Sequence, residues 1–274
     1  MSYSWDRLVQ SDENVVTVAP IKVENSVAIY QDARSAAFFA MGMAIKDKKP
    51  VTLLTPGEYL ANVYTAMTEA WFQKAEIVIY AFYDKVSDVK TSWADRCAKT
   101  ITIHIDEYES CADKIKSYYH KHGPLLINVV GVDLQKSRID YSTIIETVSK
   151  RDKEAKFLCY NSQNQSDIDN NIKTEYKYGV LSKYVGMSVA KKVGYLLCNT
   201  ECVLVDVNIF RTRYANKNMK IVILDDGNLK NNQIDQWITS NGWVCKCVEK
   251  IDDETADWLK EQTVQAVLII EGEM

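Results

Sequence analysis

The sequence predicts an α/β fold made of two doubly wound parallel-sheet domains. Three observations carry that expectation. Short apolar runs alternate with amphipathic stretches along the whole chain, the pattern of strands joined by crossover helices. The alternation runs through both halves, which are about equal in length and share no sequence repeat. The length of 274 residues, 47% hydrophobic and 26% charged, suits two modest domains with real cores.

In the first half, Ser26–Tyr30 reads as a strand, and Asp32 is placed to cap a helix over Ala33–Lys46. Ala36, Ala37, Ala40, Gly42 and Ala44 make that helix small-sided, suited to close packing and to burial in a dimer. Val51–Thr55 is the next strand, Pro56-Gly57 the turn, and Glu58–Lys74 the next helix. Strands at Ile77–Phe82 and Thr100–Ile105, a helix over Glu107–His120 and a strand at Leu125–Val130 complete the series. A helix over Tyr141–Ser149 leads to the charged segment Lys150–Lys156, where the domain boundary is expected, giving domains 1–150 and 151–274.

The second half predicts a strand at Phe157–Tyr160, a polar loop at Asn161–Asn171 and a helix across Val180–Leu197. Cys202–Asp206 and Met219–Leu224 read as short strands. Asn232–Ser240 is helical, Trp243–Val248 a strand, Asp253–Gln262 a helix and Val264–Glu271 the last strand.

Composition narrows the function classes. A net charge of −4 offers no concentrated basic face for nucleic acid. No apolar run approaches the roughly 18–20 residues that span a membrane. The opening Met-Ser-Tyr-Ser-Trp-Asp-Arg lacks the basic and apolar regions of a secretory signal, so a cytoplasmic protein is expected. Seven cysteines then read as reduced thiols. Cys198-x3-Cys202 and Cys245-x-Cys247 fit core positions better than a zinc site. His104, His120 and His122 form no ligand pattern, and structural roles are expected for them.

The most specific stretch is Asp32-Ala-Arg-Ser-Ala-Ala-Phe-Phe-Ala-Met-Gly-Met-Ala44. It resembles the opening of the pyrimidine domain of thiamine-diphosphate (ThDP) enzymes of the acetolactate synthase and pyruvate decarboxylase group. The local pattern is most like the menaquinone-pathway SEPHCHC synthases, which read Asp-Glu-Arg-Ser-Ala-x-Phe-Phe-Ala-x-Gly-x-Ala. Two further family elements follow in order. Thr55-Pro56-Gly57 with Ala61-Asn62 stands where the family has Thr-Ser-Gly and a helix carrying Ala-Asn. Gly123-Pro124-Leu-Leu-Ile-Asn128 matches its Gly-Pro-x-x-x-Asn strand.

The resemblance implies a pyrimidine-binding-like domain followed by a diphosphate-binding-like one. Thr55, Gly57, Asn62, Asp206 and Asn228 would then contact the cofactor, with Asp206, Asp226 and Asn228 holding Mg²⁺. Magnesium takes oxygen ligands, so Asp226 in place of the family's asparagine is tolerable. The family places its cofactor between subunits, which implies a homodimer or homotetramer. The central domain of most relatives is absent.

The departures fall on the chemistry. The family's catalytic glutamate, which protonates N1′ of the aminopyrimidine, is replaced by Ala33. Losing one positioned acid commonly costs roughly 10²–10⁴ in rate. Glu58 opens the next helix and is the candidate substitute acid; the alternative is a plain carboxylate favoured by the helix N-terminal dipole. Val205 and Val207 stand where glycines flank the metal aspartate, and only 19 residues separate Asp206 from Asp226. The sequence therefore predicts a ThDP fold with an eroded cofactor site, a binding, regulatory or assembly module. The alternative is a compact ThDP- and Mg²⁺-dependent lyase or carboligase acting on a 2-oxo acid.

Overall fold

The computed structural model describes residues 9, 14–118, 123–134, 138–163, 172–174, 176–189, 194–211, 218–226, 229 and 233–271. The chain divides into two units, residues 1–136 and 137–274. Each holds one six-stranded, all-parallel sheet with helices.

The first sheet is built from β1 (Val15–Val18), β2 (Ser26–Tyr30), β3 (Val51–Pro56), β4 (Ile77–Tyr83), β5 (Lys99–His104) and β6 (Leu125–Val130), in spatial order β2-β1-β3-β4-β6-β5. Strands β3, β4 and β6 are buried at every position, as expected where both faces of a parallel sheet are covered. Helix α1 (Ala33–Asp47) starts at the expected cap: the Asp32 carboxylate accepts the backbone N–H groups of Arg34 and Ser35 at 3.3 and 3.0 Å. It ends at Lys48, in the left-handed conformation at φ 51°. Its small side, Ala33, Ala36, Ala37, Ala40 and Ala44, is buried within its own unit, where the helix packs on β3 and on α2 (Leu60–Gln73). The small side chains let helix and sheet approach closely. Helix α2 begins later than expected, after a 3₁₀ turn at Gly57–Tyr59. Beyond β5, a 3₁₀ turn capped by His104 precedes α3 (Tyr108–Lys116). His104 is thus structural; His120 and His122 lie outside the described residues.

The second unit begins with α4 (Ser142–Arg151), which moves the boundary ahead of the expected position at 150. Ile144, Ile145 and Val148 join the second core, and Arg151 pairs with Asp257 of α8 (Asp253–Glu261). The charged segment after α4 is therefore a surface turn inside the unit, not a linker. The sheet comprises β7 (Phe157–Tyr160), β8 (Ile172–Thr174), β9 (Tyr195–Asn199), β10 (Lys220–Asp225), β11 (Val244–Val248) and β12 (Ala266–Glu271), in order β11-β12-β10-β9-β7-β8. The remaining helices among the described residues are α5 (Val180–Val189), α6 (Thr200–Asp206) and α7 (Ile234–Ser240).

Two expectations are corrected here. Of the helix expected to reach Leu197, Val180–Val189 is helical, and Tyr195–Asn199 is a fully buried strand. Cys202–Asp206 is helical, not a strand. The reason is common to both: a short apolar run lacks the alternation that separates buried strand from buried helix. Strands β1 and β8 were not expected. Within this core the Tyr184 hydroxyl donates to the Gly194 carbonyl at 2.8 Å and accepts the Lys220 N–H at 2.6 Å, tying α5 to the starts of β9 and β10.

Candidate functional site

In the first sheet β1 and β3 are neighbours, yet the chain leaves β1 toward β2 and leaves β3 toward β4, in opposite directions. Open α/β sheets bind ligands at such a switch, beyond the carboxyl ends of the strands. A cleft of about 380 Å³ lies there. Pro20 follows β1, and Pro56, Gly57 and Glu58 follow β3 along its wall. The end of β4 supplies Phe82, Tyr83 and Asp84, and the loop beyond supplies Asp88, Lys90, Thr91 and Trp93. Val132, Asp133 and Leu134 after β6 close it.

Several contacts fix these walls. The Trp93 indole N–H donates to the Lys90 carbonyl at 2.7 Å, and its ring stands edge-on to Tyr64. Asn128, fully buried on β6, donates to the hydroxyls of Thr91 and Thr102 at 3.0 and 3.3 Å, which ties the loop after β4 to the sheet. Gly57 is required by the Tyr83 ring, which occupies the space a Cβ would fill. Burial pushes the Tyr83 phenol well above its ordinary range, so it stays protonated.

The expected cofactor residues of this half are only partly brought together. Gly57 and Glu58 line the cleft; Thr55 is fully buried behind it, and Asn62 sits half-buried in the first turn of α2, outside the lining. Ala33 is fully buried at the start of α1 and does not line the cleft. Sequence reasoning missed Tyr83, Trp93 and the carboxylates of Asp84, Asp88 and Asp133. Tyr83 ends β4 and the others sit in loops with no motif, and the sheet order assembles them.

The second sheet has its own switch between β7 and β9. Asp206, expected at a strand end, closes α6, and its carboxylate accepts the Ser182 N–H at 3.2 Å and hydroxyl at 2.8 Å. The strand ends instead present Asn199-Thr200 and Asp225. The Thr200 hydroxyl donates to Asp225 Oδ1 at 2.9 Å, and the Leu229 N–H reaches the same oxygen at 3.0 Å. Asp225 Oδ2 and Asn199 Oδ1 are buried and unpaired among the described residues. Asp226 is exposed, and Asn228 lies outside the described residues.

This donor set does not fit a magnesium diphosphate. Asp206 is committed to Ser182, the position across from Asp225 is a hydroxyl already spent on it, and no three His, Cys, Asp or Glu side chains among the described residues could share a metal. Cys97, Cys159, Cys198 and Cys202 are buried, and burial raises the Cys202 and Cys159 thiols, the latter to about 12; Cys245 is half-buried and Cys247 exposed, which corrects the core position expected for that pair.

No protein-family model matches this chain. A stretch of 71 residues, 26% of the chain and 12% of the relative, is 32% identical to the 2-succinyl-5-enolpyruvyl-6-hydroxy-3-cyclohexene-1-carboxylate synthase of Cytophaga hutchinsonii. Over 52 residues, 19% of the chain and 9% of the relative, it is 44% identical to the synthase of that name from Bacillus cytotoxicus. The likeness is local. Each match spans about a tenth of the relative's length. Among solved structures, benzoylformate decarboxylase from Polynucleobacter necessarius aligns over 97% of both chains with a TM-score of 0.38 and 9% identity. The sequence likeness therefore supports the ThDP-family resemblance, and the two parallel sheets are the fold class that resemblance implies.

Proposed function

We propose that this protein is a non-catalytic binding module, regulatory or assembly in role, that keeps the fold of a ThDP enzyme and has lost its chemistry. Position 33 carries the reading. Ala33 opens α1 fully buried, so no carboxylate reaches solvent or ligand from the place where the resemblance puts the proton-transferring glutamate. The commitment of Asp206 to Ser182 supports it independently, because the residue expected to lead the metal ligands is a structural cap.

One observation favours the alternative, a compact ThDP- and Mg²⁺-dependent lyase or carboligase acting on a 2-oxo acid: the open Oδ2 of buried Asp225. A lone carboxylate oxygen is a weaker attraction for Mg²⁺ than the several oxygen ligands that ion requires. In the preferred reading the protein is a cytoplasmic homodimer or homotetramer; seven free thiols agree with a reducing compartment.

Calorimetric titration with ThDP, with and without Mg²⁺, tests the proposal. The expected result is no magnesium-dependent binding. Tight binding that needs Mg²⁺ and is lost in Asp225→Asn would establish the alternative.

A further inference from the structure

The second unit holds a cavity of about 350 Å³ at the edge of its sheet opposite the strand ends where the cofactor residues were expected. Asp152 after α4, Tyr195 at the start of β9, Lys220 at the start of β10 and Lys260 in the last turn of α8 stand in its walls. Lys220 is only 7% exposed, and a lysine so buried ordinarily has a charged partner. Among the described residues this one makes no ion pair. Its Nζ donates to the Lys260 backbone carbonyl at 2.8 Å and lies 5.2 Å from the centre of the Tyr195 ring. The Asp152 carboxylate is turned elsewhere, accepting the Tyr195 hydroxyl at 2.7 Å and the Glu154 N–H at 3.2 Å.

That setting suits a nucleophilic amine. A carboxylate partner would hold the nitrogen charged, whereas a carbonyl accepts a hydrogen from the neutral amine and leaves its lone pair free. Burial lowers the Lys220 pKa from the ordinary lysine value; Asp152 opposes that shift and Lys260 adds to it. Imine-forming lysines are activated in this way, by desolvation and a neighbouring cation. The other charges of the cavity, Lys156 and Lys260 against Asp152, Glu154 and Glu261, leave no excess of positive charge to draw in an anion. A nitrogen this buried admits only an unhindered carbonyl carbon. We infer that Lys220 is a covalent binding site for a small uncharged aldehyde, which it holds as an imine. The Nζ lone pair forms a bond to the carbonyl carbon while the C=O pair moves to oxygen. The nitrogen then gives up its protons to solvent and the oxygen leaves as water, with no change of oxidation state. The site is independent of whether ThDP binds.

Reductive trapping tests this on the whole protein: propanal with cyanoborohydride at pH 7.5, read by peptide mass spectrometry. About one ordinary lysine in a thousand is neutral at that pH. Lys220 is expected to be alkylated at least fivefold faster than Lys153 and Lys250, both exposed, and its rate should level off at lower pH than theirs. Glyoxylate, an anionic aldehyde, should label it more slowly than propanal. Lys260→Met keeps the carbonyl that Lys220 uses and removes the neighbouring charge. It should move the Lys220 profile to higher pH and slow its labelling at pH 7.5 about twofold to threefold. Labelling of Lys220 no faster than of Lys153 and Lys250, glyoxylate reacting as fast as propanal, or an unshifted profile in folded Lys260→Met would overturn the inference.

Discussion

The Asp206 carboxylate holds Ser182 twice, accepting its backbone N–H at 3.2 Å and its hydroxyl at 2.8 Å. Ser182 lies in the first turn of α5, whose N–H groups have no partner within the helix. Asp206 thus caps α5 from the far end of α6. Asp206→Ala should lower unfolding stability by about 1 kcal/mol, measured by urea denaturation.

Gly57 and Tyr83 are matched in shape. A Cβ at position 57 would overlap the Tyr83 ring, so Gly57→Ala should cost about 1–3 kcal/mol by displacing it. In a Tyr83→Ala background the added penalty should shrink, and a double-mutant cycle measures the coupling directly.

Ala33→Glu restores the family's residue without restoring its setting. The position is fully buried in the contact of α1 with its sheet, so the carboxyl would lose solvation and gain no partner. A fall of about 2–4 kcal/mol in stability is expected, with no decarboxylation gained. A stable variant that releases CO₂ from pyruvate would show that the site was intact but for this one group.

Cys247 is the exposed thiol of the edge strand β11. Partial burial, and then the carboxylates of Asp235 and Glu271, raise its pKa above the ordinary thiol value. Because the thiolate is the nucleophile, a raised pKa leaves less of it at neutral pH. Alkylation by iodoacetamide at pH 7.5 (about one unit below the free-thiol pKa) should be slower than for free cysteine and should accelerate as pH rises past that value. Mass spectrometry of the labelled peptide checks this.

The first unit was legible because its signals are local. Asp32 caps α1 where expected, and Ser26–Tyr30 and Leu125–Val130 form strands with the expected bounds. The second unit was less so. Tyr195–Asn199 is buried at all five positions, and a strand covered on both faces has no polar alternation to announce it. That one misread strand displaced the metal motif: the true strand end is Asn199-Thr200, and Asp206 belongs to the helix that follows. The cleft was illegible for a different reason. Its aromatic and acidic wall comes from the end of β4 and the loops after β4 and β6, strands 42 residues apart between Tyr83 and Leu125, which become neighbours only through pairing in the sheet.

The central claim, a fold kept and a chemistry lost, is tested most directly by CO₂ release from pyruvate and a small panel of 2-oxo acids, with saturating ThDP and Mg²⁺. The account predicts release at the rate of the protein-free control. Turnover above that control, abolished in a folded Asp225→Asn protein, would contradict it.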